Sequence, residues 1–156
     1  MDVDRIQKVF PSYMEHINLP DCAKEQKISV YRACQTRKIE RESFLNTFEE
    51  NGFQITVGGK EDDPQEYCLS TYTRPKDLKR FVLHSDKYDP PWLLAKGCTA
   101  PSCGKSCRTR DWKHTKSRHV DWWLYENSSP WEHFQEADYE TEEEKYIQDK
   151  RSRFND

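Results

Sequence analysis

The scarcity of aliphatic side chains constrains the fold of this chain more than any other feature of its sequence. Leu, Ile, Val and Phe make up 27 of the 156 residues, a share of about 17 %, below the level of roughly 20 % at which highly charged chains stay disordered. The net charge is only −3, however, and five Trp and eight Tyr add large apolar surfaces. Each buried aromatic ring removes about 150–250 Å² from water. We therefore expect one folded domain whose small core is built on aromatic residues.

Hydrophobic periodicity predicts helices in the N-terminal third. Apolar residues recur every three or four positions between Val3 and Ile17, as on one face of an amphipathic helix. The same spacing predicts a second helix over residues 20–34. It predicts a third over residues 39–50, before an Asn-Gly pair that suits a helix C-cap.

Downstream the pattern changes to the alternation of apolar and polar residues that is typical of strands, as in residues 53–57 and 119–125. We therefore expect an α+β fold, with N-terminal helices followed by a small antiparallel sheet and one or two packed helices. Residues 1–138 are expected to form a single domain that contains a cationic Cys/His loop at 96–119. Residues 139–156 are expected to form an acidic C-terminal helix or tail.

Charge is distributed unevenly along the chain. Residues 96–119 contain seven Lys and Arg but a single Asp, whereas residues 120–156 contain eleven acidic and four basic side chains. The two segments can neutralise each other within the fold, or one of them can face a partner.

Three of the six cysteines lie in the cationic segment. Cys98, Cys103 and Cys107 precede His114 and His119 with the spacing C-x4-C-x3-C-x6-H-x4-H. A structural zinc ion needs four such ligands, and its binding would supply folding free energy that a loop poor in apolar residues lacks. The spacing differs from that of well-attested zinc fingers. Zinc bound by Cys98, Cys103, Cys107 and His114, free thiols on a mobile loop, and a disulfide therefore all remain open.

The cationic segment also has features of a nucleic-acid-binding surface. Arg108, Arg110 and Lys113 flank Trp112 within residues 105–118, so phosphate contacts would surround one stacking surface. The overall pI near 6.0 differs from the basic footprint of a dedicated nucleic-acid-binding domain. A solvated loop neutralised by the C-terminal segment is the alternative interpretation.

Catalytic motifs are absent from the sequence, which has no Gly-rich phosphate loop, HExxH or nucleophile elbow. His119 and Asp121 share a strand face, and together with Arg108 they could carry out acid–base chemistry on an anionic substrate. Such combinations also arise by chance, so we expect a non-catalytic protein and keep a small enzyme as an alternative.

Two features favour a protein or nucleoprotein partner. Trp122 and Trp123 point to opposite faces of one strand, and Trp123 would anchor a partner if residues 131–134 left it exposed. The C-terminal segment also presents acidic groups that could bind a basic surface. These are Glu132, Glu136, Glu142, Glu143 and Glu144.

The segments IERESFLNTFEE (39–50) and SRHVDWWLYEN (117–127) resemble uncharacterised short proteins that mobile elements (phages, plasmids and integrative elements) carry in gut Firmicutes. The resemblance implies a bacterial cytoplasmic setting and an accessory role, and it assigns no activity and no site residue. In that setting we expect a small binding protein that inhibits a nucleic-acid-targeting defence system, in the manner of an anti-CRISPR protein. A zinc-stapled nucleic-acid-binding domain is one alternative. No apolar run approaches the ~18 residues of a membrane span, so we expect no membrane partner.

Overall fold

Residues 8–155 are described by a computed structural model and are organised around one antiparallel sheet of six strands. In chain order the strands are β1 Ser29–Cys34, β2 Leu69–Tyr72, β3 Leu93–Cys98, β4 Gly104–Arg108, β5 His119–Leu124 and β6 Phe134–Glu136. Their order across the sheet is β4-β5-β2-β1-β3-β6. The α-helices of the described chain are α1 Thr47–Glu50, α2 Lys79–Val82 and α3 Tyr139–Asn155. The predicted α+β class is therefore confirmed.

The predicted N-terminal helices are not confirmed. Residues 29–34 of the predicted second helix form β1, and the predicted third helix is reduced to α1 and a 3-10 turn at Arg41–Ser43. Of the predicted first helix, Val3 and Ile6 lie outside the described residues, and the described part contains a 3-10 turn at Ser12–Met14. The strand β1 forms because it pairs with β3 along its whole length, a long-range interaction that local periodicity does not contain.

The core is aromatic on both faces of the sheet. Trp122 and Trp123 are consecutive in β5, lie on opposite faces, and are both fully buried. Trp122 packs in one cluster with Phe44, and Phe134 covers it. Trp123 packs in another cluster with Tyr67 and with residues of the N-terminal segment. Trp123 therefore has no exposed surface with which to contact a partner.

Helix α3 is attached to the sheet through polar contacts. Glu142 is only 6 % exposed. Its Oε1 accepts a hydrogen bond from the Tyr31 hydroxyl at 2.9 Å and pairs with Lys96 Nζ at 2.9 Å. Glu143 accepts a hydrogen bond from Arg74 Nε at 2.7 Å. Glu142 and Glu143 therefore use their charges on partners within the fold, and these contacts position α3 on the sheet. No helix among residues 8–155 is long and apolar enough to cross a bilayer.

The strands β1 and β2 are neighbours in the sheet but pair at a single position, Tyr31 opposite Tyr72. Arg32 occupies the separation between them. Its Nη1 donates to the Ser70 carbonyl at 2.9 Å, and its Nε donates to the Ser43 carbonyl at 3.1 Å. These bonds satisfy backbone acceptors in a region where strand pairing is interrupted, so the sheet tolerates the separation.

Candidate functional site

A cleft of about 650 Å³ opens where the start of β1 faces the residue after β2 and the C-terminal half of α3. Its lining contains eight Lys and Arg side chains but only two acidic ones, Glu142 and Asp149. The basic residues are Lys27, Lys96, Arg108, Arg110, Arg118, Lys145, Lys150 and Arg153. A concave surface with such an excess of one charge concentrates ligands of the opposite charge. We call it the cationic cleft.

Carboxylates hold three of these cations in place. Lys96 and Lys145 pair with Glu142 at 2.9 and 3.5 Å. Asp77 binds Arg118 in a bidentate manner, at 2.8 Å to Nε and 2.7 Å to Nη2. The other five cations form no ion pair within the part of the chain that the structure describes, so their charge is available to a ligand.

A small recess shares four of its lining residues with the cationic cleft. It is lined by Thr73, Arg108, Arg110, Ser117, Arg118 and His119, and we call it the arginine recess. Antiparallel pairing explains this convergence, because β4 ends with Arg108 opposite Val120, next to the start of β5 at His119. Arg110 lies in the 3-10 turn Thr109–Asp111 that leaves β4.

His119 is held in the arginine recess by the buried carboxylate of Asp121. The Asp121 side chain is fully buried, and its two oxygens accept hydrogen bonds from five side chains. The donors are Thr109 Oγ1 (2.9 Å) and Trp112 Nε1 (2.8 Å) to Oδ2, and Gln65 Nε2 (3.0 Å), Cys68 Sγ (3.4 Å) and His119 Nδ1 (3.1 Å) to Oδ1. Burial by itself raises the pKa of Asp121, but the hydrogen bonds, that of His119 first, outweigh burial and lower the pKa below its ordinary value.

The network also defines the protonation of His119. The Thr109 hydroxyl gives its proton to Asp121, so the Nδ1 of His119 donates where it meets Thr109 Oγ1 at 2.6 Å. The proton of the neutral ring is therefore on Nδ1, and Nε2 is the free nitrogen. In the described chain, Trp122 Nε1 is the one fully buried side-chain nitrogen or oxygen atom without a partner. The His119 side chain is 10 % exposed, and His119 is one of the residues that line the recess.

Cys68, His119 and Asp121 are the one group of three metal-ligating side chains that converges among residues 8–155. Both oxygens of Asp121 already accept hydrogen bonds from the protein, and burial raises the pKa of the Cys68 thiol well above its ordinary value. A metal ion needs a deprotonated thiolate and a carboxylate with free lone pairs. Here the thiol is protonated and the carboxylate already accepts hydrogen bonds from the protein, so this group does not have the properties of a metal site.

The four ligands that the sequence suggested for zinc do not converge in the described structure. Cys98 ends β3 and Cys107 lies in β4. Cys103 packs in the cluster of Trp122 and Cys107 in that of Trp123, on the other face of the sheet. His114 is exposed. The predicted cationic loop is also largely ordered structure, because β4 occupies its centre.

Trp112 and Lys113 lie outside the cationic cleft. Trp112 is half-buried, with its ring centroid 6.3 Å from that of Trp123 and its Nε1 bound to Asp121. Lys113 Nζ lies 4.8 Å from the Trp112 ring and donates to Gln65. Both residues support the network around Asp121, and Trp112 is not the exposed stacking platform that the sequence suggested.

The structure brings Arg108, Arg110 and His119 to the arginine recess, and Asp121 contacts His119 from inside the fold. The sequence had grouped Arg108 with His119 and Asp121 as a weak catalytic set, and with Arg110 as a phosphate-binding pair. Glu132, Glu136 and Glu144 are exposed, whereas Glu142 and Glu143 contact the sheet and the residues after β2.

Sequence reasoning missed the cleft cations that come from other segments. Helix α3 contributes three of them, Lys145, Lys150 and Arg153, of which only Lys150 and Arg153 have the three-residue spacing of one helix face. Comparison of this chain with models of known protein families, with curated proteins and with solved structures finds no match.

Proposed function

We propose that this protein is a non-catalytic binding protein whose cationic cleft takes the phosphate backbone of a nucleic acid, either free or within a nucleoprotein. The observation that carries the proposal is the convergence of eight basic side chains from five separate segments on one cleft with only two acidic residues. Lys and Arg that converge in this way neutralise phosphates and release condensed counterions, which is the main source of sequence-independent affinity for nucleic acids.

The size and lining of the cleft are consistent with this ligand. A volume of about 650 Å³ falls within the range of roughly 300–1,000 Å³ typical of ligand sites. Tyr31 and Tyr146 contribute aromatic surface to the walls, and Arg74 lies over the Tyr146 ring, 4.6 Å from its centroid. Aromatic side chains beside a basic groove are typical of single-strand binding sites.

The burial of acidic residues favours a phosphate ligand over a basic partner protein. Glu142 and Glu143 already have basic partners within the fold, so much of the acidity of the C-terminal segment is used to hold α3. Arg108 and Arg110 have no such partner among the described residues. An inhibitory role against a nucleic-acid-targeting defence enzyme stays a prediction from the sequence resemblance.

The test is the salt dependence of nucleic-acid binding. Fluorescence anisotropy of a labelled single strand should give a log–log slope of roughly −2 to −4, because each neutralised phosphate contributes about −0.7. Replacing Arg108 and Arg110 together by Ala should reduce the magnitude of the slope by about one unit or more. A matched control replaces Lys38 and Lys60, which are exposed and outside the cleft, and should leave the slope unchanged.

Two results would contradict the proposal. One is the absence of measurable binding to single or double strands at ~150 mM salt, where non-specific binders typically have dissociation constants of about 10⁻⁴–10⁻⁶ M. The other is equal weakening by the cleft and control variants, which would show that binding follows net charge alone. Loss of a protein partner after charge reversal at Glu132 and Glu136 would instead support an acidic binding surface.

A further inference from the structure

We propose that the arginine recess is a subsite for a terminal phosphate monoester, so that the cationic cleft selects nucleic-acid ends that carry a phosphate. The inference deepens the proposed function and rests on it. It assigns a ligand class to the recess formed by Arg108, Arg110, Arg118 and His119, which is distinct from the wider part of the cleft along α3.

The charge of the recess matches a dianion. A phosphate monoester carries a charge of about −1.5 to −2 at pH 7, whereas each diester of a strand carries −1. Arg108, Arg110 and Arg118 line the recess, and no carboxylate is among its lining residues. Asp77 offsets the charge of Arg118, so Arg108 and Arg110 supply the two positive charges that a dianion requires. Guanidinium groups are suited to this ligand because their planar N–H donors match phosphate oxygens in a bidentate manner.

Two of the lining residues are held in place before a ligand binds. Asp77 engages Nε and Nη2 of Arg118, which leaves Nη1 available and restricts the side chain. Asp121 and Thr109 contact Nδ1 of His119 and fix the orientation of the ring at the edge of the recess. A preorganised site loses less conformational entropy on binding than a flexible one.

The hydroxyl of Ser117 adds a neutral donor to the recess. Ser117 Oγ accepts a hydrogen bond from the His119 backbone N–H at 3.1 Å, so its proton remains free to donate to an oxyanion. This backbone contact fixes the position of the hydroxyl beside the imidazole.

The size of the recess favours a terminal phosphate over a phosphate within a strand. Its free space is about 10 Å³, close to what one water-sized group requires. A terminal phosphate can direct one of its unesterified oxygens into this space while the others remain at the rim beside the arginines. A diester has ester oxygens on two sides, each linked to a sugar, so it has fewer free oxygens to insert and more bulk to keep outside.

The experiment compares otherwise identical single strands that end in a 5′-phosphate, a 3′-phosphate or only hydroxyl groups, with an internal fluorophore. Anisotropy titrations at ~150 mM salt should show one phosphorylated end binding about tenfold more tightly than the hydroxyl-ended strand, as expected for added charge-assisted hydrogen bonds. Arg110→Ala should reduce this preference to about twofold or less. Arg110 is exposed, so the variant is expected to fold.

A matched control separates the recess from the rest of the cleft. Lys150→Ala removes a cation that lines the cleft but not the recess, so it should weaken all three strands by a similar factor and keep their ratio.

The outcomes distinguish this inference from the proposed function. Tight binding of all three strands with equal affinity would overturn the subsite and leave the cleft proposal intact. A preference that Lys150→Ala abolishes as fully as Arg110→Ala would place the terminal phosphate outside the recess and also overturn the inference. Failure of every strand to bind would reject both proposals.

Discussion

Replacing Asp121 by Asn tests whether the buried network holds the site together. The substitution keeps the shape of the side chain but replaces one acceptor oxygen with an NH2 donor. At Oδ2 this donor would face the Thr109 hydroxyl and the Trp112 Nε1–H, and at Oδ1 it would face three other donors. In either orientation about two buried donors lose an acceptor, at about 1–3 kcal/mol each. We expect a loss of about 3–5 kcal/mol, as for other broken buried charge networks.

The same substitution predicts a pH dependence with a defined sign. The pKa of Asp121 is lowered in the folded protein relative to about 3.9 in an unfolded chain. Its stabilisation is therefore complete above the unfolded-state pKa and is lost as the pH falls towards the folded-state value. The difference in unfolding free energy between the wild type and Asp121→Asn should decrease below about pH 4.

Urea denaturation followed by tryptophan fluorescence at pH 7 and pH 3.5 measures both effects. Asp111→Asn is the matched control, because Asp111 is exposed and its substitution should change the stability by no more than about 0.5 kcal/mol. An Asp121→Asn variant within about 1 kcal/mol of the wild type at pH 7, with an unchanged m-value, would refute this reasoning.

Two further predictions use matched pairs of substitutions, both read by urea denaturation. Trp123 Nε1 donates to the Pro64 carbonyl at 2.8 Å, whereas Trp122 Nε1 is buried without a partner among the described residues. Trp123→Phe should therefore destabilise by about 1–2 kcal/mol more than Trp122→Phe, and equal losses would contradict the assigned contact. Glu142→Gln should cost about 1–3 kcal/mol because it removes the charge that pairs with Lys96 and Lys145 where α3 meets the sheet. The exposed Glu144→Gln should cost less than about 0.5 kcal/mol, and similar effects of the two would show that Glu142 does not hold the helix.

Some features of this protein follow from local sequence pattern. The alternation around Trp122 and Trp123 predicts β5, because side chains on a strand point alternately to its two faces. The same alternation required the two rings to occupy different layers, and the structure buries them in two clusters. A helix that begins near residue 139 could also be predicted, since acidic residues precede basic ones there.

Other local patterns were misleading. Ile28, Tyr31 and Cys34 recur at intervals of three, which predicts a helix, but β1 forms there because β3 supplies a partner strand. The alternating segment 53–57 predicts a strand, yet Phe53 adopts a left-handed φ of 61° and the segment forms turns. A strand needs a neighbour to satisfy its backbone N–H and C=O groups, and the sequence of a single segment does not show whether that neighbour exists.

The cationic cleft depends entirely on tertiary structure. Its basic residues extend in the sequence from Lys27 to Arg153, and only the strand order and the position of α3 bring them together. Arg108 and Arg118 meet because β4 pairs with β5. The sequence determined the sign and number of the charges. Burial determined which of them form ion pairs within the fold and which remain exposed to solvent. Glu142 is buried and pairs with Lys96, whereas Arg110 is exposed and forms no ion pair with the described residues.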